Sequence, residues 1–122
     1  DLYREQLLEH YHNPNHFGVL EGADIDIEMD NPTCGDQIHI TARLDQEGRI
    51  AEVMFEGEGC VISMASSSMF TEAVIGKRPE EINAMGLDEI QAMLGGMHLS
   101  MGRIKCAMLP LNALKLGIKE QG

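Results

Sequence analysis

The sequence predicts an α+β fold in which a small three-stranded antiparallel sheet packs against helices. Apolar and polar residues alternate in three successive segments of the N-terminal half, and apolar residues recur at helical spacing in the C-terminal half. Strands that come together before most of the helices are typical of α+β proteins. The chain has 122 residues, of which 43% are hydrophobic, enough to bury one core. We therefore expect residues 1–122 to form a single domain.

The N-terminal half predicts one helix and three strands. Apolar residues from Leu2 to about Tyr11 lie at helical spacing, and Pro14 follows shortly after. The period-two segments then predict strands at residues 25–30, 37–44 and 50–56. A turn signal at residues 45–48 joins the second strand to the third, which indicates an antiparallel meander.

The C-terminal half predicts four helices. They cover residues 60–75, 79–85, 88–94 and 103–116. Gly76 ends the first of them, and Asp88 is expected to be the N-cap of the third. Pro110 lies inside the last helix, where a proline removes a hydrogen bond and usually causes a kink.

The charge of the chain excludes some classes of partner. Nine Lys and Arg residues stand against 20 Asp and Glu, which gives a net charge of −11, and the acidic excess lies in the N-terminal half. An acidic surface repels phosphate backbones, so we expect no nucleic-acid partner. No apolar run is long enough for a membrane span, so we expect no membrane partner and a cytoplasmic location.

Three cysteines, Cys34, Cys60 and Cys106, are the first candidate functional residues. An odd number in a chain that can fold without disulfides favours thiol chemistry or metal binding. In an antiparallel meander, the turn after the first strand and the end of the third strand meet at one end of the sheet, which places Cys34 near Cys60. We expect Cys60 and Cys106 to begin helices, where unbonded N–H groups favour thiolate over thiol.

Asp36 lies two residues beyond Cys34, close enough to add a carboxylate oxygen. Three sulfurs and one oxygen suit tetrahedral zinc or an iron–sulfur cluster. Nearby Arg103 and Lys105 would offset the excess negative charge of such a site, and with Lys115 and Lys119 they predict a basic rim on the last helix beside Cys106. Because separate loops supply about one ligand each, the arrangement suits a site that releases its cargo. Two alternatives stay open: any one cysteine is a buried small hydrophobe, or His98 replaces one of the ligands.

Four motifs at their spacing resemble the U-type scaffold family of iron–sulfur cluster assembly, which comprises IscU, SufU and the N-terminal domain of NifU. The motifs are His10-Tyr11-His12-Asn13-Pro14, Asn31-Pro32-Thr33-Cys34-Gly35-Asp36, Gly59-Cys60-Val61-Ile62-Ser63 with Ala65-Ser66-Ser67-Ser68, and Arg103-Ile104-Lys105-Cys106-Ala107. The resemblance implies a SufE/NifU-like fold, with Cys34, Cys60 and Cys106 as ligands of a [2Fe–2S] cluster or of Zn²⁺. It implies that Asp36 is a ligand or controls cluster release.

The chain departs from each branch of that family in one respect. IscU proteins usually carry a histidine just before the third cysteine, where this chain has Lys105. They also carry a Leu-Pro-Pro-Val-Lys chaperone-docking motif, where this chain has Ser100-Met101-Gly102-Arg103-Ile104. Docking of an Hsp70-type chaperone is therefore not implied. SufU proteins carry an additional segment before the third cysteine, which this chain lacks.

The resemblance leaves three functions to compare. In the first, a cysteine desulfurase supplies sulfur and the chain is a scaffold, a carrier more than an enzyme, which assembles a [2Fe–2S] cluster and passes it to apo iron–sulfur acceptor proteins. In the second, the chain is a zinc-dependent sulfurtransferase in which Cys34 accepts a persulfide from the desulfurase, and Lys105 and Arg103 stabilise the transferred sulfur. In the third, the chain is a structural zinc module.

Overall fold

The computed structural model describes residues 2–31 and 35–121. It confirms the predicted α+β fold, a three-stranded antiparallel sheet with five helices. The predicted site residue Cys34 lies outside the described residues, as do Pro32 and Thr33 of its motif. The elements are, in chain order, α1 (Leu2–His12), β1 (Ile25–Asn31), β2 (Asp36–Leu44), β3 (Ile50–Glu58), α2 (Val61–Val74), α3 (Pro79–Asn83), α4 (Leu87–Met93) and α5 (Met101–Gln121).

The sheet is a meander of order β1-β2-β3, as the sequence predicts. Ile27 pairs with Ile40, and Ile40 pairs with Phe55, so one buried apolar row crosses all three strands. The neighbouring positions carry polar residues, such as His39, whose Nε2 lies 2.6 Å from Asp26 Oδ1. The alternation along each strand therefore divides the sheet into a core face and a polar face.

The helices α2 and α5 pack against the core face of the sheet and against each other. Buried Phe70 of α2 and Leu111 and Leu114 of α5 contribute to the core. At Gly117 a Cβ atom would lie 2.6 Å from Cγ2 of Ile25, so a glycine lets α5 lie close to β1. No helix in the described part of the chain is both long enough and apolar enough to span a bilayer.

Two predicted helix starts are wrong, and local hydrogen bonds explain both differences. The N-cap of α4 is Gly86 and not Asp88, because the Glu89 carboxylate accepts a hydrogen bond from the Gly86 N–H at 2.6 Å. The helix α5 begins at Met101, because Ser100 accepts hydrogen bonds from the first turn through its side chain and its carbonyl. Cys106 consequently lies in the second turn of α5 and does not begin a helix.

Candidate metal centre

The first residue of the candidate centre, Asp36, opens β2 at one end of the sheet. It pairs with Asn31 of β1, and the next residue, Gln37, pairs with Glu58 at the end of β3. The side chain is buried, with only 2% of the residue surface exposed. Its Oδ1 accepts a hydrogen bond from the backbone N–H of Cys60 at 3.1 Å. A carboxylate is therefore held inside the protein by the chain segment that follows β3.

Cys60 is the N-cap of α2, as the sequence predicts. Its Sγ accepts a hydrogen bond from the backbone N–H of Ser63 at 3.4 Å and lies 3.9 Å from Asp36 Oδ2. Serine or aspartate usually caps a helix, because the first N–H groups have no partner within the helix. Here a sulfur takes that place, so the helix start directs the thiol toward the Asp36 carboxylate.

Gly59 is the residue that allows this close approach. A Cβ atom at position 59 would lie 2.3 Å from Ser63 Oγ and 2.7 Å from Asp36 Oδ1, distances that real Cβ atoms do not show. The space beside its backbone is thus already filled by two of the oxygen atoms around Cys60. Any other residue at this position has to displace the carboxylate or the serine.

Cys106 brings the third donor from α5 and is 3% exposed. One donor atom each from Asp36, Cys60 and Cys106 lies within 4.8 Å of the others. We refer to these three residues as the Asp-Cys-Cys group. Residues from a strand, a helix start and a second helix therefore meet at one point, although they are far apart in the sequence.

The donor set of the Asp-Cys-Cys group fits a thiophilic metal. A tetrahedral zinc ion with bonds of about 2.3 Å to sulfur and about 2.0 Å to oxygen separates its ligand atoms by about 3.5–3.8 Å. The Asp36 Oδ2 to Cys60 Sγ distance of 3.9 Å is close to that spacing. Burial of Asp36 and Cys106 restricts water, while Cys60 is partly exposed. The three residues present can hold Zn²⁺ or iron, and one coordination position stays available for a further donor.

The other predicted site residues have different outcomes. Cys34 lies outside the described residues, so the structure does not place it. Arg103 and Lys105 are exposed on the first turns of α5. The exposed residue His98 is not part of the Asp-Cys-Cys group.

The sequence also predicts a basic rim beside Cys106 that includes Lys115 and Lys119. The structure corrects this for Lys115, whose Nζ donates a hydrogen bond to the Met85 carbonyl between α3 and α4. Lys115 lies more than two helical turns beyond Cys106, because residues rise about 1.5 Å each along a helix. The Lys115 ammonium group therefore stabilises the connection between α3 and α4.

Sequence reasoning missed the contribution of two serines near the group. The Ser63 hydroxyl lies 3.8 Å from Cys60 Sγ, and the Ser66 hydroxyl donates a hydrogen bond to the Ala107 carbonyl, next to Cys106, at 2.7 Å. From the sequence alone, the Ser66-Ser67-Ser68 run predicts only small residues that allow close packing of a helix. The available signal was the burial of several hydroxyl groups in one apolar helix, since a buried hydroxyl needs a specific partner.

Curated relatives resemble this chain over almost its whole length. It is 42% identical to the zinc-dependent sulfurtransferase SufU of Bacillus subtilis (strain 168), over 99% of this chain and 92% of that protein. It is 41% identical to the iron–sulfur cluster assembly scaffold protein IscU of Streptococcus pyogenes serotype M1, over 98% and 84%. It is 32% identical to the iron–sulfur cluster assembly enzyme IscU of Drosophila melanogaster, over 98% and 77%.

Solved structures are similar to this chain in both fold and sequence. The crystal structure of a hypothetical protein superposes with a TM-score of 0.84 at 40% identity and covers 97% of each chain. FiSufU from Fervidobacterium islandicum AW-1, named as an iron–sulfur cluster assembly scaffold protein for the SUF system, superposes with a TM-score of 0.76 at 27% identity, over 93% and 94% of the two chains. The profile of the NifU-like N terminal domain matches residues 2–121. This chain belongs to the NifU-like N terminal domain family, the U-type scaffold family that its motifs resemble.

Proposed function

We propose that this protein is a scaffold on which a [2Fe–2S] cluster is assembled and from which it is passed to apo-proteins. The observation that carries the proposal is the Asp-Cys-Cys group, in which three elements supply one donor each within 4.8 Å. The cluster is the cargo of this site. Iron and desulfurase-derived sulfur are the substrates, and the partners are a cysteine desulfurase and apo iron–sulfur acceptor proteins.

Each residue of the site has a role that follows from its chemistry. Cys60 and Cys106, together with Cys34, supply soft thiolate ligands, which iron–sulfur clusters prefer. Asp36 supplies a harder carboxylate oxygen, which binds such a cluster less strongly than sulfur does. We assign to Asp36 the ligand position that opens first, so that an acceptor thiolate replaces its oxygen. Exposed Arg103 and Lys105 reduce the negative charge near the thiolates.

A second function is favoured by the identity of 42% to a zinc-dependent sulfurtransferase over 99% of this chain. In this alternative Zn²⁺ is a resident cofactor, held by the Asp-Cys-Cys group. The Cys34 thiolate attacks the outer sulfur of the desulfurase persulfide, the S–S bond of that persulfide breaks, and the desulfurase cysteine leaves as a thiolate. The alignment with that relative spans 139 positions, more than the 122 residues of this chain, so the relative contains residues without a counterpart here. The alignment with the scaffold protein IscU of Streptococcus pyogenes serotype M1 spans 137 positions, so the difference in length does not separate the two functions.

Anaerobic purification followed by metal and sulfide analysis separates the two functions. For a scaffold we expect reconstitution with Fe²⁺, cysteine and a desulfurase to give visible charge-transfer absorption and equal amounts of iron and sulfide on the chain. Cys106→Ala is the control and should fail to hold the cluster. Colourless protein with one zinc per chain and no cluster after reconstitution would contradict the scaffold proposal. A persulfide found on Cys34 of that zinc protein by mass spectrometry would establish the second function.

A further inference from the structure

The helix α2 contains four buried serines whose hydroxyl groups reach different parts of the molecule. Ser63, Ser66, Ser67 and Ser68 are all fully buried, in a helix whose other buried residues are mostly apolar. A buried hydroxyl costs free energy unless it has a hydrogen-bond partner, so the partner of each hydroxyl shows what it holds. Two of these four partners belong to the segments that carry Cys60 and Cys106.

Ser63 holds the Cys60 end of the helix. Its Oγ donates a hydrogen bond to the Cys60 carbonyl at 3.1 Å and lies 3.8 Å from Cys60 Sγ. Its backbone N–H donates to the same sulfur at 3.4 Å. Cys60 is thus in contact with the hydroxyl and the backbone N–H of Ser63 and with Asp36, which restricts the rotation of its side chain.

Ser66 holds the segment that carries Cys106. Its Oγ donates a hydrogen bond to the Ala107 carbonyl at 2.7 Å, which joins α2 to the second turn of α5. Pro110 stands four residues after Cys106 and has no N–H to donate to the Cys106 carbonyl. This turn of α5 therefore has fewer hydrogen bonds of its own, and the Ser66 hydroxyl fixes its distance from α2.

We propose that Ser63 and Ser66 are positioning residues that set the geometry of Cys60 and Cys106 for metal or cluster binding. The two serines are three residues apart and so share one face of α2. The inference rests on the proposed function, because it assumes that the Asp-Cys-Cys group binds metal. Residues that orient metal ligands typically change the affinity 10- to 100-fold when they are replaced.

Ser67 provides a matched control on the same helix. It is as fully buried as Ser66, but its Oγ donates to the Ser63 carbonyl of α2 at 2.7 Å and does not reach α5. Ser67→Ala removes one buried hydroxyl from the same environment. A purely structural effect of losing a serine should therefore be similar in Ser66→Ala and Ser67→Ala.

The experiment uses Co²⁺ as a probe of the reduced, metal-free protein. Tetrahedral Co²⁺ with thiolate ligands absorbs in the visible range, and competition with a chelator gives its affinity. For Ser63→Ala and for Ser66→Ala we expect an affinity roughly tenfold lower than that of the parent and weaker visible bands. For Ser67→Ala we expect the affinity and the spectrum of the parent. Thermal unfolding of the metal-free variants shows how much each change affects the fold itself.

Each outcome decides one question. Parental Co²⁺ affinity and spectra in both Ser63→Ala and Ser66→Ala would overturn the inference, and so would an equal loss in Ser67→Ala. If Ser66→Ala does not fold, Ser63→Ala decides, since it removes a side-chain bond only within the first turn of α2. A parent protein that binds no Co²⁺ contradicts the proposed function itself. A parent that binds Co²⁺ but assembles no cluster contradicts only the scaffold.

Discussion

The two ends of β2 each carry an aspartate that accepts hydrogen bonds from the backbone, and their roles differ. Asp45 follows β2, is exposed, and its Oδ1 accepts from the N–H groups of Glu47 and Arg49 at 2.9 and 3.0 Å. Asp36 begins β2, is buried, and binds the Cys60 N–H with Oδ1 while Oδ2 faces the Cys60 thiol. We call the two regions the turn end and the site end. The same carboxylate chemistry stabilises a turn at one end and faces a thiol of the Asp-Cys-Cys group at the other.

The surroundings of each aspartate explain the difference. At the turn end, the Arg49 guanidinium donates to the Gly76 carbonyl and the Arg78 guanidinium donates to the Glu47 carbonyl, at 3.0 and 3.1 Å. These bonds tie the β2–β3 turn to the segment after α2. At the site end, the other two members of the Asp-Cys-Cys group are thiols. A thiolate binds a metal ion more strongly than it accepts a hydrogen bond. Both carboxylates accept backbone hydrogen bonds, so what separates them is burial and the thiol that Asp36 also faces.

Removing a ligand at the site end should have the largest effect. Cys106→Ala takes away one of the two described thiols, so we expect Co²⁺ affinity to fall by more than the roughly 100-fold that a residue orienting a ligand can cost. Chelator competition measures the loss, and Asp45→Ala at the turn end should keep the parental affinity. Parental affinity in Cys106→Ala would show that this thiol is not a ligand.

Filling the space at Gly59 should have the next largest effect. Because the new Cβ of Gly59→Ala meets oxygens of Ser63 and Asp36, we expect a loss of about 1–3 kcal/mol in the free energy of unfolding and weaker Co²⁺ binding. Gly102→Ala is the matched control, since a Cβ there meets no atom within 4 Å, and it should be neutral or stabilising by no more than about 1 kcal/mol. Urea denaturation measures both. Equal stability of the two variants would contradict the close packing around Gly59.

The variants Asp36→Cys and Asp45→Ala test the comparison directly. Because we assign to Asp36 the ligand position that opens first, we expect Asp36→Cys, which puts a more strongly binding thiolate there, to lose its reconstituted cluster to oxygen or to an acceptor several-fold more slowly. Asp45→Ala should lose the cluster at the parental rate and be about 1 kcal/mol less stable, because two turn N–H groups lose their acceptor. The decay of visible absorption measures the rate. Identical decay in Asp36→Cys and the parent would remove the release role of Asp36.

The smallest effect is expected at the turn end. Arg49→Ala removes a hydrogen bond to the Gly76 carbonyl from a side chain that is 38% exposed, so we expect a loss of about 0.5–1 kcal/mol in the free energy of unfolding. Co²⁺ affinity should stay unchanged. A change in Co²⁺ affinity would mean that the two ends of the sheet are coupled, and the division between them would have to be abandoned.

Local patterns were sufficient to predict the sheet and part of the candidate site. Alternation of Ile38, Ile40 and Ala42 with polar neighbours predicts β2, and the structure confirms that strand. The antiparallel order predicts that Cys34 lies near Cys60; Cys34 is outside the described residues, and Asp36, two residues further on, lies beside Cys60. The start of α2 at Cys60 is also confirmed, since glycines precede the cysteine and apolar spacing follows it. These features depend on residues close together in the sequence or on a simple topology.

The remaining features depend on contacts between elements that no local pattern contains. The sequence does not indicate which face of α5 meets α2. The hydrogen bond from Ser66 to the Ala107 carbonyl and the position of Cys106 therefore follow only from the packing of the two helices. The sequence predicts the start of the last helix at residue 103, after Gly102, whereas the capping hydroxyl of Ser100 lets α5 begin at Met101. Its position on that helix predicts Lys115 beside Cys106, while in the structure Lys115 reaches another element.

The donor atoms of the Asp-Cys-Cys group come from chain segments that are far apart, so an ion bound there would act as a reversible cross-link. It would join β2, the start of α2 and the second turn of α5, contacts that an unfolded chain does not maintain. An ion that binds the folded state alone raises the free energy of unfolding by about 2.7 kcal/mol at a free concentration 100 times its dissociation constant. The melting temperature would therefore measure metal loading, and a chain that has lost its ion would unfold at a lower temperature than a loaded one.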